Sequence, residues 1–186
     1  SLSGIPGEEV PLGINIPLPT DAGYEPFVAW NNRALVANTS KVYVTDGTPA
    51  GTTDLVNSGG TSYRWQMTPL SANRAVLRQQ RYDRQTREPG VSRELWITDG
   101  TAAGTVNLLN LPSSQDMSPV MVSGGVAMAV VYESIYEISK KGKLWATDGT
   151  PTGFSAVTGS PDFHDVHVIG ANATNAVFVS VPPGGA

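Results

Sequence analysis

The chain of 186 residues contains no cysteine, which excludes disulfide bonds, thiolate metal sites and cysteine nucleophiles together. It has only two histidines, and charged residues make up just 15% of the sequence. No apolar run reaches the ~18 residues that a membrane-spanning helix needs. The 12 Lys and Arg residues are outnumbered by 16 Asp and Glu, so the net charge is -4. That balance argues against a protein that wraps nucleic acid.

Glycine and proline are abundant instead, with 20 and 14 residues, and 40% of the sequence is apolar. This composition is too apolar for a disordered chain and is rich in residues that form turns. No stretch shows helical periodicity. The composition therefore predicts a folded, loop-rich β protein.

An internal repeat organises the chain. The segments KVYVTDGTPAGTTDLV (41–56), RELWITDGTAAGTVNLL (93–109) and GKLWATDGTPTGFSAVT (142–158) share the pattern [LV]-[WY]-x-T-D-G-T-x-x-G. Their aspartates, Asp46, Asp99 and Asp148, are separated by 53 and 49 residues. A period of that length suits a four-stranded unit of a β-propeller or a related β array.

The centre of each repeat is predicted to be a hairpin turn. The Asp carboxylate is suited to accept backbone N–H groups across the turn, Gly tolerates positive φ, and the Thr hydroxyls cap the loop. The predicted turn residues are Asp46, Gly47, Thr48, Asp99, Gly100, Thr101, Asp148, Gly149 and Thr150. Gly51, Gly104 and Gly153 are predicted to supply a second positive-φ position. A calcium site is less favoured, because one carboxylate per ~50 residues is sparse for a shell of six to eight oxygens.

A weaker pattern of two apolar strands around a turn pair precedes each hairpin, so the repeating unit is predicted to have four strands. The units lie near residues 26–58, 65–112, 117–159 and 164–186, which gives three complete units and half of a fourth. Apolar residues at consecutive positions in 127–132 and 176–181 predict burial on both faces, as in stacked sheets. Residues 1–25 match no repeat and are predicted to form an extended, Pro-rich arm.

The segment LWITDGTAAGT (95–105) resembles the ELWxTDGTxxGT repeat of large bacterial surface and secreted proteins, which are generally expected to fold as propeller-like β arrays. The resemblance covers roughly residues 26–181. The chain departs from the repeat at Tyr43, where the other copies have Trp, and at Phe154, where the family has Thr. The resemblance implies a non-catalytic binding or scaffolding role without a cofactor, in an extracellular or cell-surface setting; a phage particle is the alternative.

Positive charge is concentrated in one insertion, RQQRYDRQTREPGVSR (78–93). Between Arg64 and Arg93 there are seven arginines and two acidic residues, a net charge of +5. Arginine suits bidentate contacts with carboxylate or phosphate, so this hairpin is a candidate for docking onto an acidic protein surface. A simply solvated hairpin is the alternative, and nucleic acid or an anionic glycan is less favoured. The candidate partner-binding residues are Arg78, Arg81, Arg84, Arg87 and Arg93.

Five aromatic residues and one segment that contains both histidines are candidates for ligand binding. Trp30 and Trp65 stand beside polar residues and are candidates for glycan binding, with ordinary burial as the alternative. Trp96 and Trp145, like Tyr43, lie mid-strand among apolar neighbours and are predicted to pack between units. The segment DFHDVH (162–167) alternates its His and Asp residues between the two faces of a strand, so no metal site is predicted.

No catalytic sequence motif is present, and an enzyme with an unrecognised carboxylate site is the least favoured class. The sequence predicts an all-β, propeller-like repeat protein with a structural, assembly or adhesive role. Its partners are expected to be proteins, with self-association foremost, and a lectin-type glycan-binding propeller is the alternative. The surfaces available for assembly are the arm, the open strand edge of the half unit and the Arg-rich hairpin.

Overall fold

The computed structural model describes residues 27–59, 63–82, 89–136, 140–150, 152–164, 166–171 and 176–180. Every regular element in these ranges is a β-strand, and all paired strands are antiparallel. The prediction of an all-β protein is therefore confirmed. No helix in the same ranges could cross a membrane. The predicted arm, residues 1–25, lies outside the described residues.

The first two sheets each contain four strands that pair in chain order. The first sheet is made of β1 (Phe27–Trp30), β2 (Arg33–Ala37), β3 (Lys41–Thr45) and β4 (Thr53–Asn57). The second is made of β5 (Tyr63–Ser71), β6 (Arg74–Tyr82), β7 (Pro89–Thr98) and β8 (Val106–Asn110). Strands β6 and β7 are the longest pair, and their hairpin contains the Arg-rich insertion.

The third sheet follows the same path with an interrupted first strand and an interrupted last strand. It contains β9 (Asp116–Met117), β10 (Met121–Ser123), β11 (Val126–Tyr132), β12 (Lys141–Thr147), β13 (Ser155–Ala156) and β14 (Phe163–His164). Both β9 and β10 pair with β11. At the break, the Ser118 N–H donates to the Val130 carbonyl (2.9 Å) and the Ser118 hydroxyl accepts from the Val130 N–H (3.0 Å). A side chain thus completes the ladder where the strand is broken.

The fourth sheet contains two described strands, β15 (His167–Ala171) and β16 (Ala176–Val179). The first strands of successive sheets lie side by side: β1 contacts β5, β5 contacts β10, and β10 contacts β15. The sheets are therefore arranged in chain order, each next to the one that precedes it.

The sheets pack face to face over shared apolar clusters. One cluster joins the first and second sheets through Leu35, Val42, Trp65 and Leu77, among others. A second joins the second and third sheets, and a third cluster links β11 to Val166, just before β15. Burial of these side chains provides most of the free energy that holds the sheets together.

Central strands contribute to two clusters because side chains alternate between the faces of a strand. In β6, Ala75 and Leu77 point to the first sheet, whereas Val76 points to the third. In β11, Ala129 points to the second sheet, and Val130 points to the opposite side, where it packs with Val166. This explains why the sequence of these strands is apolar at consecutive positions.

The tight turns that join the first two strands of the first and third sheets use residues at positive φ. Asn31 and Asn32 have φ values of 45° and 60°, and Gly124 and Gly125 have values of 58° and 78°. Asn and Gly tolerate this region better than other residues.

Candidate functional site

The repeated Asp-Gly-Thr turns are held by side-chain hydrogen bonds. In the second repeat, the N–H and the hydroxyl of Thr101 both donate to Oδ1 of Asp99, at 2.8 and 2.7 Å. The Gly100 N–H donates to Oγ1 of Thr98, and the Gly104 N–H donates to Oγ1 of Thr101. The first repeat has the same four bonds. The third repeat shares the bond from the Thr150 N–H to Asp148.

These bonds lower the pKa of all three aspartates below its ordinary value. For Asp46 and Asp99 the largest cause is the hydroxyl of the following threonine, Thr48 or Thr101. For Asp148 the largest cause is the Thr150 N–H. A carboxylate that accepts hydrogen bonds is stabilised in its charged form. Each carboxylate thus accepts hydrogen bonds within its own turn. No group of three or more His, Asp or Glu residues in the described ranges is placed to hold a metal ion.

The prediction that the last glycine of each repeat has a positive φ is wrong. Gly47, Gly100 and Gly149 have positive φ, but Gly51 and Gly104 do not; Gly153 does not either. A Cβ added at Gly51 or Gly104 would overlap the carboxylate of the turn aspartate. Glycine is required there because the carboxylate occupies the space of a side chain.

Each of the second and third turns also contacts the preceding sheet. A Cβ at Gly100 would lie 2.6 Å from Nη2 of Arg33, and a Cβ at Gly149 would lie 2.6 Å from Cδ2 of Leu70. Both Arg33 and Leu70 flank the first hairpin of the preceding sheet. The repeated turn is therefore part of the joint between neighbouring sheets.

Trp30 and Trp65, the candidate glycan-binding residues, are both 3% exposed and lie in the cluster between the first and second sheets. The indole N–H of Trp30 donates to the Ser71 carbonyl (2.8 Å), and the Arg33 guanidinium lies 4.9 Å from the ring centroid. A sugar platform needs an exposed ring face, so the structure does not support this prediction. Trp96 and Trp145 pack against the clusters that join their sheets to the preceding ones, as predicted.

The prediction that Arg78 belongs to an exposed partner-binding surface is wrong. Arg78 is only 6% exposed, because β6 is a central strand with sheets on both faces. Its Nη2 donates to the Met117 carbonyl in the third sheet (3.0 Å). Burial lowers the pKa of Arg78 to about 10, although the nearby charge of Asp116 opposes this shift. The guanidinium remains protonated at neutral pH and joins two sheets.

The other arginines of the insertion are placed differently. Arg81 is exposed on β6. Arg84 and Arg87 lie outside the described residues, and Arg93 is described only as part of the β7 backbone. Docking through these residues therefore stays a prediction.

A contact that sequence reasoning missed joins the second and third sheets at Gln66. Its Nε2 donates to the Val120 carbonyl (3.0 Å), and its Oε1 accepts from the Val120 N–H (3.1 Å). The Val120 backbone is free for this contact because β9 ends at Met117 and β10 begins at Met121. The interruption of the first strand thus creates a two-bond joint, and no local sequence signal marks it.

In the segment DFHDVH, Asp162 pairs with two lysines rather than with histidine. Its carboxylate contacts Nζ of Lys141 (3.0 Å) and of Lys143 (2.5 Å), which lowers the pKa of Asp162, with Lys143 the larger cause. The His164 N–H donates to the Ser180 hydroxyl (2.7 Å), which joins the third sheet to the segment after β16. Asp165 lies outside the described residues.

The fourth sheet differs from the others at its second strand. The strands β2, β6 and β11 are each paired on both sides, whereas β16 pairs only with β15 among the described residues. Val177 and Val179 alternate along β16, and they are 50% and 43% exposed. An apolar strand with one edge unpaired, as β16 is among the described residues, is a site at which another chain can add.

Exposed large apolar side chains are concentrated at the first and last described sheets. Five are found in the described ranges: Phe27, Tyr136, Val157, Val177 and Val179. Phe27, in the first strand, is 63% exposed. Three of the five thus lie in the strands at the start and the end of the series of sheets.

No match was found to a protein-family model, to a curated protein or to a solved structure. The candidate site therefore rests on geometry alone: a strand edge that is open among the described residues, and exposed apolar side chains at the two ends of the series of sheets.

Proposed function

We propose that this chain is a non-enzymatic structural or adhesive module that binds protein partners, its own copies first among them. In this proposal the sheets are the units of a propeller-like β array. The side-by-side arrangement of β1, β5, β10 and β15 supports this view, because first strands are adjacent in such arrays. The resemblance of the repeat to those of bacterial surface and secreted proteins favours display outside a cell or on a phage particle.

The proposal rests on the edge and the exposed side chains of β16. Among the described residues, one edge of β16 is unpaired, and Val177 and Val179 are exposed; such a strand invites association, and natural proteins usually protect such edges. No charged or proline residue blocks this one, since the strand reads Ala-Val-Phe-Val. An edge of this composition is suited to contact with another protein.

The experiment is the mass of the full chain in solution, measured by light scattering and sedimentation at several concentrations. We expect a mass that rises with concentration above the 19.6 kDa of one chain. The double variant V177K/V179K should shift the mass toward that of the single chain, because two desolvated charges would oppose contact.

The matched control is Val157→Lys, which changes a valine of similar exposure, 39%, outside the end strands. It should associate as the natural chain does. A chain that stays at the mass of one copy at every concentration would overturn the proposal, as would equal weakening by Val157→Lys.

A further inference from the structure

The first sheet has two sides, and the apolar clusters among the described residues cover only one of them. Leu35, Val42 and Val44 lie in the cluster with the second sheet. Side chains alternate along a strand, so Val36 and Tyr43, which pair with each other, lie on the opposite side. We call the side that carries Val36 and Tyr43 the outer side of the first sheet.

The outer side is buried in the single chain, since Val36 and Tyr43 are each only 8% exposed. A sheet side that faced water would leave such side chains exposed, because neighbours within a sheet cover only their flanks. The Lys41 ammonium lies 5.8 Å from the centroid of the Tyr43 ring, but a single cation cannot bury both side chains. No cluster among the described residues contains either of them. Another part of the same chain therefore covers the outer side.

The exposed residues of β1 show where this cover lies. Phe27 and Ala29 are also on the outer side, because they alternate with Val28 and Trp30, which face the second sheet. Phe27 is 63% exposed, and Ala29 is exposed as well. The cover therefore lies over β2 and β3 and leaves β1 open.

The segment that precedes β1 has the length and the sequence for this role. In this sequence 26 residues precede Phe27, whereas no stretch between or after the described ranges exceeds six residues. Within the 26 residues, every second position from 10 to 18 is apolar: Val10, Leu12, Ile14, Ile16 and Leu18. An extended segment of this sequence has one apolar side, which matches an apolar sheet surface.

The residues between these apolar positions favour a segment that crosses the sheet over one that pairs within it. Pro11 and Pro17 have no N–H to donate to a neighbouring strand. Nine extended residues span about 30 Å, several times the ~5 Å between neighbouring strands. Residues 19–26 are then left to connect the segment to Phe27.

We propose that residues 10–18 lie across the outer side of the first sheet and cover Val36 and Tyr43 with their apolar side chains. This inference goes beyond the proposed function, which concerns β16 at the other end of the series of sheets. The segment protects an apolar surface that would otherwise be open to association. Its displacement would uncover a second surface for protein contacts.

The absence of cysteine allows a test by thiol reactivity in the full chain. Val36→Cys should react slowly with a maleimide, whereas Ala29→Cys, exposed on the same side, should react fast. Adding Ile14→Lys and Ile16→Lys should speed the reaction of Val36→Cys at least about tenfold, because two charges oppose burial of the segment. Asn15→Lys, between those positions and on the other side of the segment, is the matched control and should leave the rate unchanged.

Val42→Cys reports whether the sheet itself stays intact, because Val42 is fully buried on the side of the second sheet. It should stay protected in the lysine variant, and an equal gain in reactivity at Val42→Cys and Val36→Cys would overturn the inference. Unchanged protection of Val36→Cys in the lysine variant would assign the cover to another part of the chain and overturn it. Protection that is lost on dilution would assign the cover to a second copy, with the same consequence.

Discussion

The Nη2 atom of Arg78 donates a hydrogen bond to the Met117 carbonyl oxygen, 3.0 Å away in the neighbouring sheet. In the first and third sheets the corresponding positions hold Ala37 and Val130, which are fully buried. The second sheet thus has a charged side chain where the first and third sheets have a small apolar one. The hydrogen bond to Met117 offsets part of the free-energy cost of burying the Arg78 guanidinium.

We expect Arg78→Ala to lower the free energy of unfolding by about 3 kcal/mol, because it leaves a cavity and removes the donor to Met117. Arg78→Met keeps most of the volume and removes the buried charge, so its effect should be smaller. Urea unfolding followed by tryptophan fluorescence measures both changes. The control is the exposed Arg81→Ala, expected within about 0.5 kcal/mol of the natural chain. Equal losses for Arg78→Ala and Arg81→Ala would contradict this account.

The contact between Gln66 and the Val120 backbone predicts a pH-dependent effect of Gln66→Glu. A carboxylate has no donor for the Val120 carbonyl, so at neutral pH we expect a loss of about 1 to 3 kcal/mol in unfolding free energy. A protonated glutamic acid regains a donor, and the difference from the natural chain should therefore shrink as the pH falls. Urea titrations at neutral and acidic pH measure it. A difference that does not change with pH would refute the two-bond contact.

The fit between Gly104 and the Asp99 carboxylate predicts strong coupling in a double-mutant cycle. Gly104→Ala should cost about 1 to 3 kcal/mol, because the new Cβ displaces the carboxylate. Asp99→Ala alone should cost about 1 kcal/mol through lost turn hydrogen bonds. The double variant should lose at least about 1 kcal/mol less unfolding free energy than the two single variants added together, because the new Cβ no longer overlaps a carboxylate. Combining Gly104→Ala with Asp46→Ala, in a different turn, should give additive losses.

The turn aspartates predict a loss of stability in acid. Their pKa values are lower in the folded chain than the ordinary value of 3.8, so the folded state binds fewer protons than the unfolded state in this range. The stabilisation is fully present above the unfolded pKa, and it is lost as the pH falls through the lowered folded values.

Thr101→Val tests the cause, because the Thr101 hydroxyl is the largest contribution to the lowered pKa of Asp99. An NMR titration of the Asp99 carboxyl carbon should show its pKa moving up toward the ordinary value. Thr105→Val is the control, since that hydroxyl donates to the Thr101 carbonyl and not to Asp99. A shift of equal size in both variants would refute the assignment.

The β class, the strands and the hydrogen-bonded turns were accessible from sequence because they depend on local chemistry. The Asp-Gly-Thr turns use groups within four residues of one another. Consecutive apolar residues in 127–132 predicted burial on both faces, which the clusters on either side of β11 confirm. The same prediction for 176–181 is wrong at Val177 and Val179, which are 50% and 43% exposed.

The errors at Arg78 and Trp30, and the missed contact of Gln66, concern contacts between distant residues. Arg78 lies in a run of arginines that reads as a solvated surface, and only its alignment with Ala37 and Val130 signals a buried position. Trp30 is fixed by Ser71, 41 residues away, and the Gln66 contact spans 54 residues. Nothing in the sequence near Trp30 or Gln66 reports these partners.

A chain of similar repeats is at risk of misassembly during folding, because one sheet could dock on the wrong neighbour. The joints described above differ enough to oppose such exchange. Trp30 bonds to Ser71 at the first joint, whereas Gln66 and Arg78 bond to Val120 and Met117 at the second. A misplaced sheet would leave these polar groups buried without partners, at a cost of about 1 to 3 kcal/mol for each. The polar contacts thus favour the native order of the sheets over orders in which these groups would lose their partners.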